Sequence, residues 1–239
     1  MRLLSDDELE RSAVVANCRM NRERDLAGPN GYARELGFHP FDVLRTHAAP
    51  GRPAAWLDLC CGTGKALIQA AVLAEAEGLD VAVVGVDLVG LFHPVDPALT
   101  RLRLVEAPLS RWRPDRPFDL ITCVHGLHYV GDKLGLAARA ASWLNAGGLF
   151  AANLDLANLK VAGDPSGRTL RADLRRAGLD YRPRKRRLVA RGRLAADLPY
   201  RYLGADDQAG PNFTGQPAVN SHYEPLSPPP RTFNRPTAL

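Results

Sequence analysis

The chain has 239 residues, 46% of them hydrophobic, and a formal charge of +5, which suits one principal domain with a sizeable core. No apolar run reaches the ~18 residues of a membrane helix, and the opening MRLLSDDELE puts acids where an export signal keeps its apolar stretch, so a soluble, cytoplasmic protein is expected. The excess charge is small for this length, and 27 of the 31 basic residues are arginine, a bias that points to a GC-rich bacterial genome before it points to nucleic acid.

In chain order, Ser5-Asp6-Asp7-Glu8 has the form of a capping box and predicts a helix running to about Gly28. Gly28-Pro29-Asn30-Gly31 reads as a turn, and YARELGFHPFDVLRTH as two helical pieces broken near Pro40. From Ala55 onward, short apolar runs (AWLDLCC, VAVVGVDL, RLRLVEA, FDLITCV, GGLFAANL) alternate with helical stretches (GKALIQAAVLAEAEG, DKLGLAARAASWLN, TLRADLRRAGL). Continuous apolar strands separated by helices are what a mostly parallel sheet covered on both faces requires, so a doubly wound α/β domain is expected. KRRLVARGRL and LPYRYL are expected to form an antiparallel C-terminal hairpin on the sheet edge, and the chain from Gly210 onward to be irregular, with prolines clustered at Pro225, Pro228, Pro229 and Pro230. The expected organisation is a helical cap over residues 1–50, the α/β domain over 51–205 and an extended tail over 206–239.

The turn LDLCCGTGKAL joins the first strand to the first core helix. A P-loop would need G-x-x-x-x-G-K-[ST], yet Leu59 stands where its first glycine belongs and Ala66 follows Lys65. A dinucleotide fingerprint would need a small residue where Leu67 stands, which weakens that reading without removing it. Asp58 disfavours a diphosphate by like-charge repulsion and favours a ligand that carries an ammonium. Asp87 ends the next strand, 23 residues after Gly64, where doubly wound folds read ribose hydroxyls. Glu106 ends the third strand.

LDLCCGTG, VVGVDL, VEAPL, FDLITCVHGLHYV and LNAGGLF, in this order and spacing, resemble the successive motifs of class I S-adenosylmethionine-dependent methyltransferases. The match spans residues 55–153 and implies a Rossmann-like fold with S-adenosylmethionine as cofactor. It assigns Asp58, Cys60, Gly62 and Gly64 to the amino-acid end of the cofactor, Asp87 with Leu88 to the ribose, and Glu106 with Ala107 to the adenine. Cys60 replaces the first glycine of the family's usual turn, a form similar to that of some quinone-pathway methyltransferases.

Methyl acceptors in this family sit above the end of the fourth strand, which makes His125 and His128 candidates for a general base. Arg22, Arg24, Asn30, Tyr32 and Tyr129 are candidates for contacting substrate or closing over it. The basic run Arg182-Pro183-Arg184-Lys185-Arg186-Arg187 reads first as protection of an edge strand and second as a phosphate contact. Phe213, Val219 and Tyr223 are spaced as anchors that would let the tail lie across the site. Cys18, Cys60, Cys61 and Cys123 fit neither a disulfide framework nor a metal site and are expected to be reduced and packed. The expected activity is methyl transfer to an O, N or C nucleophile of a small molecule. An enzyme of the same fold that uses the cofactor without transferring methyl, such as a cyclase, and a non-catalytic binding protein are the alternatives.

Overall fold

The computed structural model describes residues 2–16 and 23–226; Cys18, Arg22, Pro228, Pro229 and Pro230 lie outside them. The capping box is formed, with Glu8 N–H donating to Ser5 Oγ, but the helix it starts is short. Helix α1 covers Asp6–Glu10 and α2 covers Ala13–Ala16, with a turn at Arg11 and Ser12, and residues 23–27 are non-helical. One straight helix would hold Leu9 and Val15 about 120° apart around its axis, whereas the break lets both face the same cavity. The next two pieces form as expected, α3 at Tyr32–Leu36 and α4 at Pro40–His47. Gly37 ends α3 with φ of 70° and Pro40 occupies the first turn of α4, each where its backbone freedom or restriction is useful.

The α/β core comprises β1 (Ala54–Leu59), α5 (Lys65–Ala76), β2 (Val81–Asp87), β3 (Leu102–Glu106), β4 (Phe118–Cys123), α6 (Lys133–Ser142) and β5 (Leu144–Asn153). After it come β6 (Leu159–Val161), α7 (Arg168–Arg176), β7 (Asp180–Arg182), β8 (Arg187–Arg191), β9 (Tyr200–Asp206) and β10 (Asn220–Pro225). Seven strands form one sheet in the order β3-β2-β1-β4-β5-β8-β7. β1 to β5 are mutually parallel, and β8 runs antiparallel to β5 and β7. This is the Rossmann-like doubly wound sheet. Both faces are packed: Leu57, Leu59 and Ile121 meet Leu136, Ala140 and Leu174 on one side, while Trp56 and Leu120 meet Phe41, Leu67 and Ala70 on the other. Alternate residues of β1 thus serve opposite layers, and the continuous apolar run AAWL is needed because neither face is wet.

The hairpin at the sheet edge differs from the expected one. β8 pairs with β7, and LPYRYL, in β9, instead joins a second sheet in the order β6-β10-β9. Residues expected to be irregular supply β10, which pairs antiparallel with β9, the strand before it, and parallel with β6, much earlier in the sequence. Val219 and Tyr223 are buried, as anchors would be. Among the described residues no helix is long and apolar enough to cross a membrane.

Candidate active site

β1 lies between β2 and β4, so the connections on its two sides leave the sheet in opposite directions and a crevice opens at the strand ends. The turn after β1 floors this crevice. Cys60, Gly62 and Gly64 all have positive φ, at 60°, 60° and 75°; for Cys60 this is a strained conformation of the kind that collects at functional sites. Asp87 ties the turn to β2: Gly62 N–H donates to its Oδ2 at 2.9 Å and Val89 N–H to its Oδ1 at 3.1 Å. On the β4 side the chain approaches so closely that a Cβ on Gly126 would lie 2.3 Å from Cys60 Cβ. His125, just before it, also has positive φ, at 58°.

A cavity of about 880 Å³, with its open mouth counted, occupies the crevice. Cys60, Gly62, Asp87, Leu88, His125 and Tyr129 line it, together with Leu109, Ser110 and Arg139. Asp6, Leu9, Glu10 and Val15 roof it. The roof is held down by Ser110 Oγ donating to Glu10 Oε1 (2.7 Å), by Tyr202 OH donating to Asp6 Oδ1 (3.2 Å) and by the ion pair of Arg111 with Asp7 (3.2 Å). Sequence reasoning missed these roof residues, because their only local signal was the capping box.

Asp58 is not on the cavity wall. Register places it beside Thr122 of β4, and its buried carboxylate accepts from Thr122 Oγ1 and from Tyr32 OH, the latter at 2.7 Å. Thr122 in turn accepts from Trp56 Nε1 at 2.8 Å, and the Tyr32 ring meets Trp56 edge-on. Burial raises the Asp58 carboxyl to about 7, against the two hydroxyl donors and with the help of the nearby Asp87 charge. Tyr32, expected to face a substrate, is therefore a buried prop for Asp58. Gly64 also faces away: a Cβ there would strike Leu104 of β3 at 2.7 Å. Glu106 is exposed and packs against Gly90, and Ala107 N–H donates to Asp87 O at 2.9 Å; neither lines the cavity.

His128 is fully buried and lines neither this cavity nor a second cleft beside it, and burial with the charges of His125, Lys133 and Arg186 pushes its pKa down to about 3. It is neutral across the ordinary pH range. His125 is placed differently, on the wall between this cavity and the second cleft. Its Nε2 lies 2.9 Å from Glu35 Oε2, a contact that holds the Glu35 carboxyl below its usual range in spite of its partial burial. Arg24 lies in the second cleft, where Nη1 donates to Asn30 Oδ1 at 2.9 Å and stands 3.4 Å from Glu35. The basic run lies there too, directly after the edge strand β7. Of the tail anchors, Phe213 stays partly exposed with its ring centre 5.3 Å from that of His128 and 5.9 Å from that of His125. Cys60, Cys61 and Cys123 are free thiols, half-buried or buried.

The residues around the cavity fit S-adenosylmethionine. Gly62 in the turn lets the backbone be approached closely, the Asp87 carboxylate lines the cavity at the end of β2, and Leu88 and Leu109 offer apolar surface for a flat base. A family model described as "Methyltransferase domain" matches residues 38–185. No curated protein matches the chain. Solved structures similar to it include the plantazolicin methyltransferase BpumL in complex with a triazolic desmethylPZN analog and SAH (12% identity, 42% of this chain and 38% of that one, TM-score 0.37). YjhP from E. coli (17% identity, 59% and 55%, TM-score 0.41) and StiE O-MT residues 942–1257 (21% identity, 41% and 36%, TM-score 0.36) are also similar. The chain thus spans less than two thirds of each of these structures, and no conclusion about activity rests on them. The family match covers well over half of the chain and its residues 54–153 carry the five parallel strands and the turn described above: the protein belongs to the methyltransferase-domain family, whose cofactor is S-adenosylmethionine.

Proposed function

We propose that the protein transfers a methyl group from S-adenosylmethionine to an O, N or C nucleophile of a small molecule, with the cavity under α1 as the cofactor site. The observation that carries this reading is the Asp87 carboxylate, fixed by Gly62 and Val89 at the mouth of the crevice. A carboxylate fixed there at the end of β2, on the cavity wall, suits the vicinal hydroxyls of a ribose. Leu88 and Leu109 would cover the adenine, in place of the Glu106 and Ala107 expected from sequence. Asp58 acts from beneath the turn, as a positioning residue, because both of its oxygens are engaged by Thr122 and Tyr32. When bound, S-adenosylmethionine supplies an electrophilic methyl group on a sulfonium.

His125 is the proposed proton acceptor. Glu35 beside Nε2 favours the tautomer that carries its proton there, which leaves the lone pair on Nδ1, an atom without a hydrogen-bond partner among the described residues. A hydroxyl or amine reaching the wall between the two cavities could pass its proton to that nitrogen. His128, buried and unprotonated, supports the loop instead.

Asp87→Ala is expected to weaken S-adenosylhomocysteine binding by about 1–3 kcal/mol, the scale of charge-assisted hydrogen bonds lost to a ligand. Calorimetric titration of both proteins checks this, with NAD and ATP as controls. Equal affinities in parent and variant would remove the cofactor assignment of this cavity. The cyclase and binding-only alternatives keep the same pocket and are separated by the products formed from S-adenosylmethionine.

A further inference from the structure

The second cleft is larger than the first, at about 1420 Å³ with its mouth counted. Four segments far apart in sequence build it: the turn and helix around α3, the His125 loop, the β7–β8 connection and the tail at Phe213 and Thr214. Its charges are one-sided. Arg24, Arg34, Arg182, Arg184, Lys185 and Arg187 line it against a single carboxylate, Glu35.

Some of these cations have partners in the fold. Arg24 is shared between Asn30 and Glu35, Arg34 donates to Pro29 O at 2.8 Å, and Arg182 pairs with Asp180 at 3.0 Å. The other three do not. Among the described residues no carboxylate lies within ion-pair distance of Arg184, Lys185 or Arg187. Arg187 is the most telling, being only 7% exposed, with a buried Nε that has no hydrogen-bond partner. Its guanidinium lies against Gly37, where a Cβ would come within 2.9 Å of both terminal nitrogens. Burial and the Arg182 charge work against this guanidinium and only the charge of Glu35, not paired with it, favours it; a buried cation with an idle donor is costly unless something neutralises it. Protection of the β7 edge would explain the exposed Arg182 and Arg184, but it gives no reason to bury Arg187.

We propose that this cleft is the acceptor site and that the acceptor is an anion, held through a carboxylate or phosphate by Arg184, Lys185 and Arg187. This rests on the methyl-transfer reading above. His125 gives the link, since it lines both cavities: an acceptor anchored by its anion in the arginine cleft would direct the rest of the molecule towards His125 and the cofactor cavity. Glu35 stands between Arg24 and His125, so the one carboxylate in the cleft is already engaged and does not fill the role of the anion.

The test uses the whole chain and three probes: inorganic phosphate, benzoate and S-adenosylhomocysteine, each titrated calorimetrically. The variants are Arg187→Gln and, because Arg187 is buried, the double variant Arg184→Gln/Lys185→Gln in the exposed turn. At least one of the two anions should bind the parent protein and bind each variant at least about tenfold more weakly, the loss expected for charge-assisted contacts. S-adenosylhomocysteine affinity should stay the same in all three proteins. Binding of phosphate alone or of benzoate alone identifies which anionic group the cleft takes. Failure of both anions to bind the parent, or equal anion affinity in parent and double variant, overturns the proposal. So does a matching loss of S-adenosylhomocysteine affinity, which would make the cleft part of the cofactor site. If S-adenosylhomocysteine fails to bind the parent, the methyl-transfer reading falls; if it binds and the anions do not, only the acceptor proposal falls.

Discussion

Lys133→Met is expected to destabilise the fold by about 2–5 kcal/mol and to loosen the tail, because one buried ammonium ties the loop before α6 to the tail around β10. Lys133 is 1% exposed, and its Nζ donates at 2.8 Å to each of Val130 O, Val219 O and Ser221 Oγ. Burial pushes its pKa down to about 7, while Asp206 and Asp132 pull it back up. Three acceptors at hydrogen-bond distance suit an ammonium with three donors, and methionine would fill the volume while leaving all three oxygens without that donor. The consequence reaches the site. Val130 and Gly131 line the cofactor cavity, Ser221 Oγ donates to Gly131 O, Val219 N–H donates to His128 O at 2.9 Å, and Tyr223 OH accepts from Leu134 N–H at 3.0 Å. Urea denaturation measures the loss, and limited proteolysis should cut the segment before β10 faster in the variant. A loss below about 1 kcal/mol would show that the tail is held by Tyr223 and the β9–β10 pairing without Lys133.

Asp58→Asn should change how stability depends on pH more than it changes stability at any one pH. The Asp58 carboxyl has its pKa raised from 3.8 to about 7 by burial. The unfolded chain therefore gives up this proton near 3.8, while the fold keeps it up to about 7. The stability this group contributes is complete below the lower value and is lost as pH rises through the upper one. Asparagine resembles the protonated acid and has no such loss. Between pH 4 and pH 8 the stability of the variant relative to the parent should rise by up to about 4 kcal/mol. Rearranged hydrogen bonds to Tyr32 and Thr122 shift the variant by a similar amount at both pH values, so the difference isolates the titration. Chemical denaturation of both proteins at the two pH values checks this; a change below about 1 kcal/mol would mean that Asp58 is better solvated or better paired than its burial implies.

The parts of the site that could be read from sequence are those set by short-range geometry. Gly62 and Asp87 were legible because a glycine turn after one strand and an acid at the end of the next meet wherever the two strands are parallel neighbours. The direction of Asp58 was not, since its partners are Thr122, brought alongside by strand register, and Tyr32, brought in by a helix before the sheet begins. His125 and His128 are three residues apart in one motif, yet one lines both of the cavities described and the other lines neither. The positive φ at His125 turns the loop there, and nothing in CVHGLHYV marks which ring is turned inward. LPYRYL shows the same limit for strands: alternation marks it as β, but whether it pairs with β8 or β10 depends on the connections around it. The arginine cleft is assembled from segments about 150 residues apart, so the basic run alone could be read only as an edge or a contact.

A crystal structure of the protein with S-adenosylhomocysteine bears most directly on the cofactor site. The ribose hydroxyls should lie at hydrogen-bond distance from Asp87, with the base between Leu88 and Leu109 beneath α1. Binding of that molecule anywhere outside the crevice at the ends of β1, β2 and β4, or no binding at all, would contradict the assignment.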